Sequence, residues 1–178
     1  MFKSSLSHFR NVRALTICGL MMALAVVLNY VATIRIGSYI RIGFSFLPNL
    51  IVDFLFGPVV GGVFGGLLDI IKYILTPSGS FFPGFTISAI LGAVIYGVIL
   101  YRKTLTWTRM ILAQFLVKLI VNIGLNSLWL KIMYGQALLA ILPGRILSNA
   151  VMLPIDVIIG YIALKMVAQY RRQLMPGI

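Results

Sequence analysis

The chain has one cysteine, one histidine and three acidic residues in 178, and each scarcity removes a class of function. With Cys18 alone there is no disulfide framework and no cysteine-rich metal site. His8 stands in a basic amino-terminal segment and reads as a solvated tail residue, so neither an HExxH zinc helix nor a Ser/His/Asp arrangement can be assembled. No GxxxxGK[ST] phosphate loop occurs, so the chain does not hydrolyse ATP itself. Charged residues make up only 10% of it, against about 25% in an ordinary soluble domain. No enzyme and no cofactor are expected. What remains is apolar, with 61% hydrophobic residues and a mean hydropathy of +1.06. That is the composition of an integral membrane protein.

At about 20 apolar residues per helical crossing, the length leaves room for roughly six spans in a single domain, 1–178. The spacing predicts spans at Ala14 to about Ala32, Leu47 to Phe56, Val59 to Leu75, Phe85 to Tyr101, Met110 to Leu130 and Arg145 to Val167. The first follows a basic head but lacks a small-residue cleavage pattern, so it reads as a retained helix. The second is short, about 15 Å for ten helical residues, and must be tilted, extended by its flanks or sheltered by protein. Thr33 to Ser45 and Thr76 to Ser80 read as polar, turn-rich connections.

A net charge of +12 would point to nucleic acid in a soluble protein. Here Lys3, Arg10, Arg13, Arg102, Lys103, Arg109, Arg171 and Arg172 flank apolar spans, as the positive-inside rule expects of cytoplasmic segments. Both termini are therefore expected in the cytoplasm of a multi-pass protein of the cell membrane, with the lipid bilayer and no nucleic acid as partner. That orientation leaves Arg35, Arg41, Lys131 and Arg145 outside, where topology does not explain them. The stretch from Arg35 to Asp69 also breaks a span with Pro48 and sets glycines and an aspartate into membrane. Charges and broken helices are costly in lipid and mark a protein-lined cavity or ligand path.

All three acids, Asp53, Asp69 and Asp156, fall within the spans, where partners are expected. Asp69 and Lys72 are three apart on one helix and able to pair, and Asp156 and Lys118 lie at similar depths. Asp53 reads as structural. Gly61, Gly62, Gly65 and Gly66 form overlapping small-xxx-small pairs that let another helix approach closely.

The runs RIGFSFLP at Arg41 to Pro48, GPVVGGVFGGLLD at Gly57 to Asp69 and FFPGFT at Phe81 to Thr86 resemble the folate-specific S-components of energy-coupling factor vitamin transporters. The size and the order of the runs fit along essentially the whole chain. The resemblance implies an all-α bundle of six transmembrane helices. It implies a subunit that captures folate outside, docks on a transmembrane coupling subunit driven by two cytoplasmic ATPases, and delivers the vitamin inside. The family's first helix carries an Ala-x-x-x-Ala docking surface; this sequence offers Gly19 and Ala23 instead, and departs by its glycine.

Folate asks for grip on carboxylates and for stacking and in-plane hydrogen bonds around a flat ring. Arg35, Arg41 and Arg145 are the cations expected for the carboxylates, since a guanidinium grips them bidentately. Phe44, Phe82, Phe85 and Trp129 are ring candidates, and Asp69, Asn122 and Asn126 have the groups for the ring edge, with Lys72 beside Asp69. The Thr33 to Ser45 segment, with Gly37 and Gly43 as hinges, is the expected gating loop between the first two helices. An S-component for another vitamin, a small channel or secondary carrier, and a lipid-acting membrane enzyme stand as alternatives. A channel wants a polar line through the whole membrane and an enzyme wants a nucleophile with a base; the sequence offers neither.

Overall fold

The computed structural model describes residues 2–31, 33–36, 40–76, 80–135 and 138–174. A short α1 (Phe2–Leu6) and a 3-10 turn (Ser7–Arg10) lead into α2 (Val12–Val31). An antiparallel hairpin, β1 (Thr33–Ile36) and β2 (Ile40–Gly43), joins it to α3 (Phe46–Phe56) and α4 (Pro58–Leu75). Then come α5 (Pro83–Leu100) and a long rod made of α6 (Trp107–Leu116), a π-helical stretch Val117–Leu125 and α7 (Asn126–Tyr134). The last helix is α8 (Leu138–Leu174). Among the described residues five helices are long and apolar enough to cross a membrane: Val12–Val31, Pro58–Leu75, Pro83–Leu100, Trp107–Tyr134 and Leu142–Tyr170. The all-helical bundle expected from the sequence forms, and the expected connection at 33–45 folds largely as the hairpin. Gly37 lies outside the described residues.

The short second span, α3, has 11 residues and is sheltered by protein rather than stretched across lipid. Leu50, Val52, Asp53, Leu55 and Phe56 are essentially inaccessible, because α2, α4, α5 and α8 surround the helix. Its end is forced at Gly57, whose φ of 86° is a conformation that L side chains rarely adopt. Pro58 then starts α4, where its missing N–H costs nothing.

The glycine pairs act as expected. A methyl at Gly65 would stand 3.1 Å from the Ala89 carbonyl oxygen and one at Gly66 3.0 Å from the Ile90 side chain, so α4 and α5 approach closely along these glycines. Gly61 serves another purpose: a methyl there would coincide with the Asp53 carboxylate, so this glycine makes room for a buried acid. Asp53 is structural as expected, with Asn49 Nδ2 donating to its Oδ2 at 3.3 Å.

The amino-terminal segment corrects one reading. His8 is not a solvated tail residue: it is 3% exposed, its Nε2 is 3.0 Å from the Tyr101 hydroxyl, and its ring meets Phe56 edge-on. Ser5 is fully buried beside it, donating to the Phe56 carbonyl at 2.6 Å and accepting from the Val59 and Val60 amides. The segment folds under the α3–α4 turn because that turn exposes amide and carbonyl groups that no helix satisfies. By contrast, α2 buries only Ala14 and Ala25.

Candidate functional site

A cavity of about 490 Å³ runs inward between α3, α4, α5, the α6–α7 rod and α8. Its rim carries Gly43 at the end of the hairpin, Ser45 and Phe46 after it, Asp69 and Lys72 on α4, Phe85 on α5 and Asn126 at the start of α7. Deeper lie Tyr96, Gln114, Lys118 and Asp156. A second cavity of about 360 Å³ sits where α4 ends and α5 begins and shares Asp69, Lys72 and Phe85 with the first. Aromatic side chains dominate its wall: Tyr73, Phe81, Phe82, Phe85 and Tyr134. Both reach the end of the bundle opposite to the Arg102–Lys103 turn.

Of the residues singled out from the sequence, Asp69, Lys72, Phe85, Asn122 and Asn126 line the main cavity together. Phe82 joins three of them in the second. Asp69 and Lys72 do not pair with each other: Thr86 Oγ1 donates to Asp69 Oδ2 at 2.8 Å, and Lys72 Nζ donates to Ser45 Oγ at 3.0 Å. Rotamers that reach across to neighbouring elements win over the i,i+3 contact and tie α4 to α5 and to the segment after the hairpin. Arg35 and Arg41 are directly opposed in the hairpin register, while their side chains lie outside the described residues.

Three expected contact residues line neither cavity: Phe44, Trp129 and Arg145. Trp129 stands behind the wall, with Nε1 donating to Ser88 Oγ at 2.9 Å and its ring 5.6 Å from that of Phe82. Gly84 allows this, since a methyl there would meet both rings. Arg145 braces the wall instead of reaching into it. In the π-helical stretch the i→i+5 pattern shifts carbonyls out of the α register, and Arg145 Nη1 donates to the Asn122 carbonyl and to Ser127 Oγ, each at 3.3 Å. Asn122 Nδ2 donates to Asn149 Oδ1 at 3.1 Å, and Asn149 Nδ2 returns to the Arg145 carbonyl at 2.8 Å. Arg145 thereby fixes how Asn122 faces the cavity.

Sequence reasoning passed over the polar groups in mid-span. Asn49, Ser88, Tyr96, Gln114, Ser148 and Asn149 all line the main cavity. Each is a lone polar group or a polar pair inside an apolar run, a legible signal set aside in favour of cations and aromatics at helix ends. The Lys118–Asp156 pair was expected from depth and is present, Nζ to Oδ2 at 2.6 Å. Among the described residues no three His, Cys, Asp or Glu side chains come close enough to hold a metal ion.

The chain is similar to known proteins in both sequence and fold. A family model described as the substrate-specific component of ECF transporters matches residues 13–164. The "Folate transporter FolT" of Clostridium novyi (strain NT) is 41% identical over 128 residues, which cover 72% of this chain and 74% of that protein. A protein of the same name from Leuconostoc mesenteroides is 34% identical over 161 residues, covering 86% and 85%. The "Crystal structure of FolT bound with folic acid" superposes with a TM-score of 0.76 at 34% identity, over 84% of this chain and 90% of that one. With a cavity open at one end of a helical bundle, a half-length helix sheltered inside it, and these matches over most of its length, this chain belongs to the family of substrate-specific components of ECF transporters.

Proposed function

We propose that the chain captures folate on the outer side of the cell membrane and releases it inward after docking on a coupling subunit driven by two cytoplasmic ATPases. The observation that carries the reading is a cavity walled by both aromatic rings and amide and charged groups, in a chain whose relatives are named folate transporters. The proposed contacts are Asp69, Lys72, Phe85, Asn122 and Asn126 in the main cavity, with Phe82 in the adjoining one. Arg35 and Arg41 of the hairpin meet the ligand's carboxylates, and the hairpin acts as the lid. Trp129 and Arg145 hold the wall in shape. The chain works as one membrane domain with both termini in the cytoplasm.

The docking face is α2. Gly19 and Ala23 are exposed and nothing approaches Gly19 within 4 Å, so these small residues are free of the intramolecular packing that would otherwise account for them. A flat, small-residue strip on the least buried span supports lateral contact with another membrane helix.

Native mass spectrometry of the protein purified from its own membranes tests the whole reading. The expected spectrum carries the mass of a folate and a complex with one coupling subunit and two ATPases. A different vitamin that folate cannot displace would overturn the ligand, and isolation of the subunit with no ATPase from gently solubilised membranes would overturn the coupling.

A further inference from the structure

Asp53 is fully inaccessible inside the bundle, and among the described residues no cation forms an ion pair with it. Its hydrogen-bond partner is Asn49, one turn away on α3, at 3.3 Å. With the Asn49 nitrogen as the donor, two buried oxygens have no partner among the described residues, Asn49 Oδ1 and Asp53 Oδ1. An ionised carboxylate in that state is costly, because a buried charge needs a counter-ion or donors to its oxygens. Space excludes the usual remedies. A methyl at Gly61 would coincide with Asp53 Oδ1, so the α4 backbone lies directly against that oxygen and leaves no room for a water or a metal ion between them. Asn49 Oδ1 faces the wrong kind of neighbour: it and the Ala89 carbonyl oxygen of α5 both border the gap at Gly65, 3.4 and 3.1 Å from where a methyl on that glycine would stand. Two acceptors share one gap. The other ionisable groups nearby are already engaged. Tyr96 of α5, within electrostatic reach of Asp53, donates its hydroxyl proton to Gln114 Oε1 at 2.8 Å, and Asp156 of α8 is paired with Lys118.

We propose that Asp53 is a proton-binding site: it holds its proton at neutral pH, donates it to Asn49, and so turns the Asn49 amide nitrogen toward the Ala89 carbonyl. The two ends of an amide have the same shape, and the hydrogen-bond network decides which end is nitrogen. One proton repairs both defects. Asp53 Oδ2 becomes the donor, Asn49 Oδ1 the acceptor, Asn49 Nδ2 is aimed at a carbonyl oxygen, and the oxygen left against Gly61 belongs to a neutral acid, which is far cheaper to bury than a charged one. The result is a polar link from α3 through the glycine gap of α4 to α5. It fastens a helix too short to be anchored at both faces of the membrane, and it does not depend on what the cavity binds.

The test is infrared spectroscopy of the full-length chain in a maltoside detergent, which has no ester carbonyl of its own. With only three acidic side chains in the sequence, the difference between the parental protein and Asp53→Asn isolates one group. At neutral pH, where an ordinary aspartate is ionised, the difference should show loss of the carbonyl stretch of a protonated carboxylic acid, above the amide absorption. Loss of a carboxylate band in its place overturns the proposal. Asp53→Asn should unfold close to the parental temperature, since its amide can donate to Asn49 as the acid does, whereas Asp53→Leu, which cannot donate, should unfold a few degrees lower; equal stability of all three overturns the link. A sodium-dependent rise in the parental unfolding temperature that Asp53→Asn abolishes would put a metal ion where the proton is placed, and also overturns it. Should Asp53→Asn not fold, the parental protein labelled with carbon-13 at the aspartate carboxyls decides: one of three signals should keep the acid-form shift at neutral pH and persist in both Asp69→Asn and Asp156→Asn. Three carboxylate signals, or loss of the acid signal in either variant, refutes the assignment.

Discussion

Replacing Ser5 by alanine should be among the most damaging single-atom deletions in the molecule. Its Oγ donates to the Phe56 carbonyl at 2.6 Å and accepts from the Val59 and Val60 amides at 3.1 and 3.2 Å, with the residue fully inaccessible. Loss of a helix cap costs about 1 kcal/mol. A buried carbonyl left without its donor costs about 1–3 kcal/mol more. The expected loss is thus about 2–4 kcal/mol, read from the midpoint of equilibrium unfolding in mixed detergent. Folate affinity of the folded fraction should not change, because the cap sits at the opposite end of the bundle from the cavity mouth. A loss below about 0.5 kcal/mol would mean that water replaces the hydroxyl and that the segment is not the buried cap described above.

Arg41→Ala should weaken folate binding by about 1–3 kcal/mol in equilibrium titration if it holds a carboxylate, while Arg102→Ala at the opposite end should not; equal affinities would remove Arg41 from the site. Ala23→Leu should leave folate binding intact and abolish uptake in cells carrying the whole transporter, and a parallel loss of binding would point to internal packing instead of docking. In a Cys18→Ser background, Ser80→Cys should react with an impermeant thiol reagent from outside and Lys103→Cys only from inside, and the opposite pattern would invert the topology. Folate should change the fluorescence of Trp129, beside the cavity wall, and not that of Trp107, stacked on Tyr161 at 3.9 Å; single Trp→Phe variants assign the signal.

Much of this architecture is written in one dimension. Long apolar runs set the spans, Gly57-Pro58 and Pro83-Gly84 set two helix starts, and the glycines of α4 announce a close helix neighbour. These signals are local, since each depends on a few adjacent residues and the cost of polar backbone in lipid. The site is less legible. Arg145 and Trp129 have the right chemistry for a ligand but spend it on Asn122, Ser127 and Ser88, and only the fold shows whose lone pairs lie in reach. Lys72 likewise reaches Ser45, 27 residues away in sequence, in place of a carboxylate three residues off. The π-helical stretch leaves no mark in composition, and His8 looks like tail because its partner Tyr101 is 93 residues distant.

That separation bears on how the protein is made. Ser5 and His8 are synthesised early, yet the groups they hold, Phe56 through Val60 and Tyr101, follow 51 to 93 residues later. Closing a loop of that length carries an entropic cost that local helix formation does not. During biogenesis the amino-terminal segment must therefore wait, its polar groups hydrated, until α5 has entered the bilayer and brought Tyr101, the residue after it, round. Closure of this end of the bundle is a late step of assembly. A chain halted before Tyr101 would leave that segment accessible to proteases, so protection of residues 2–10 would report that the first half of the bundle has come together.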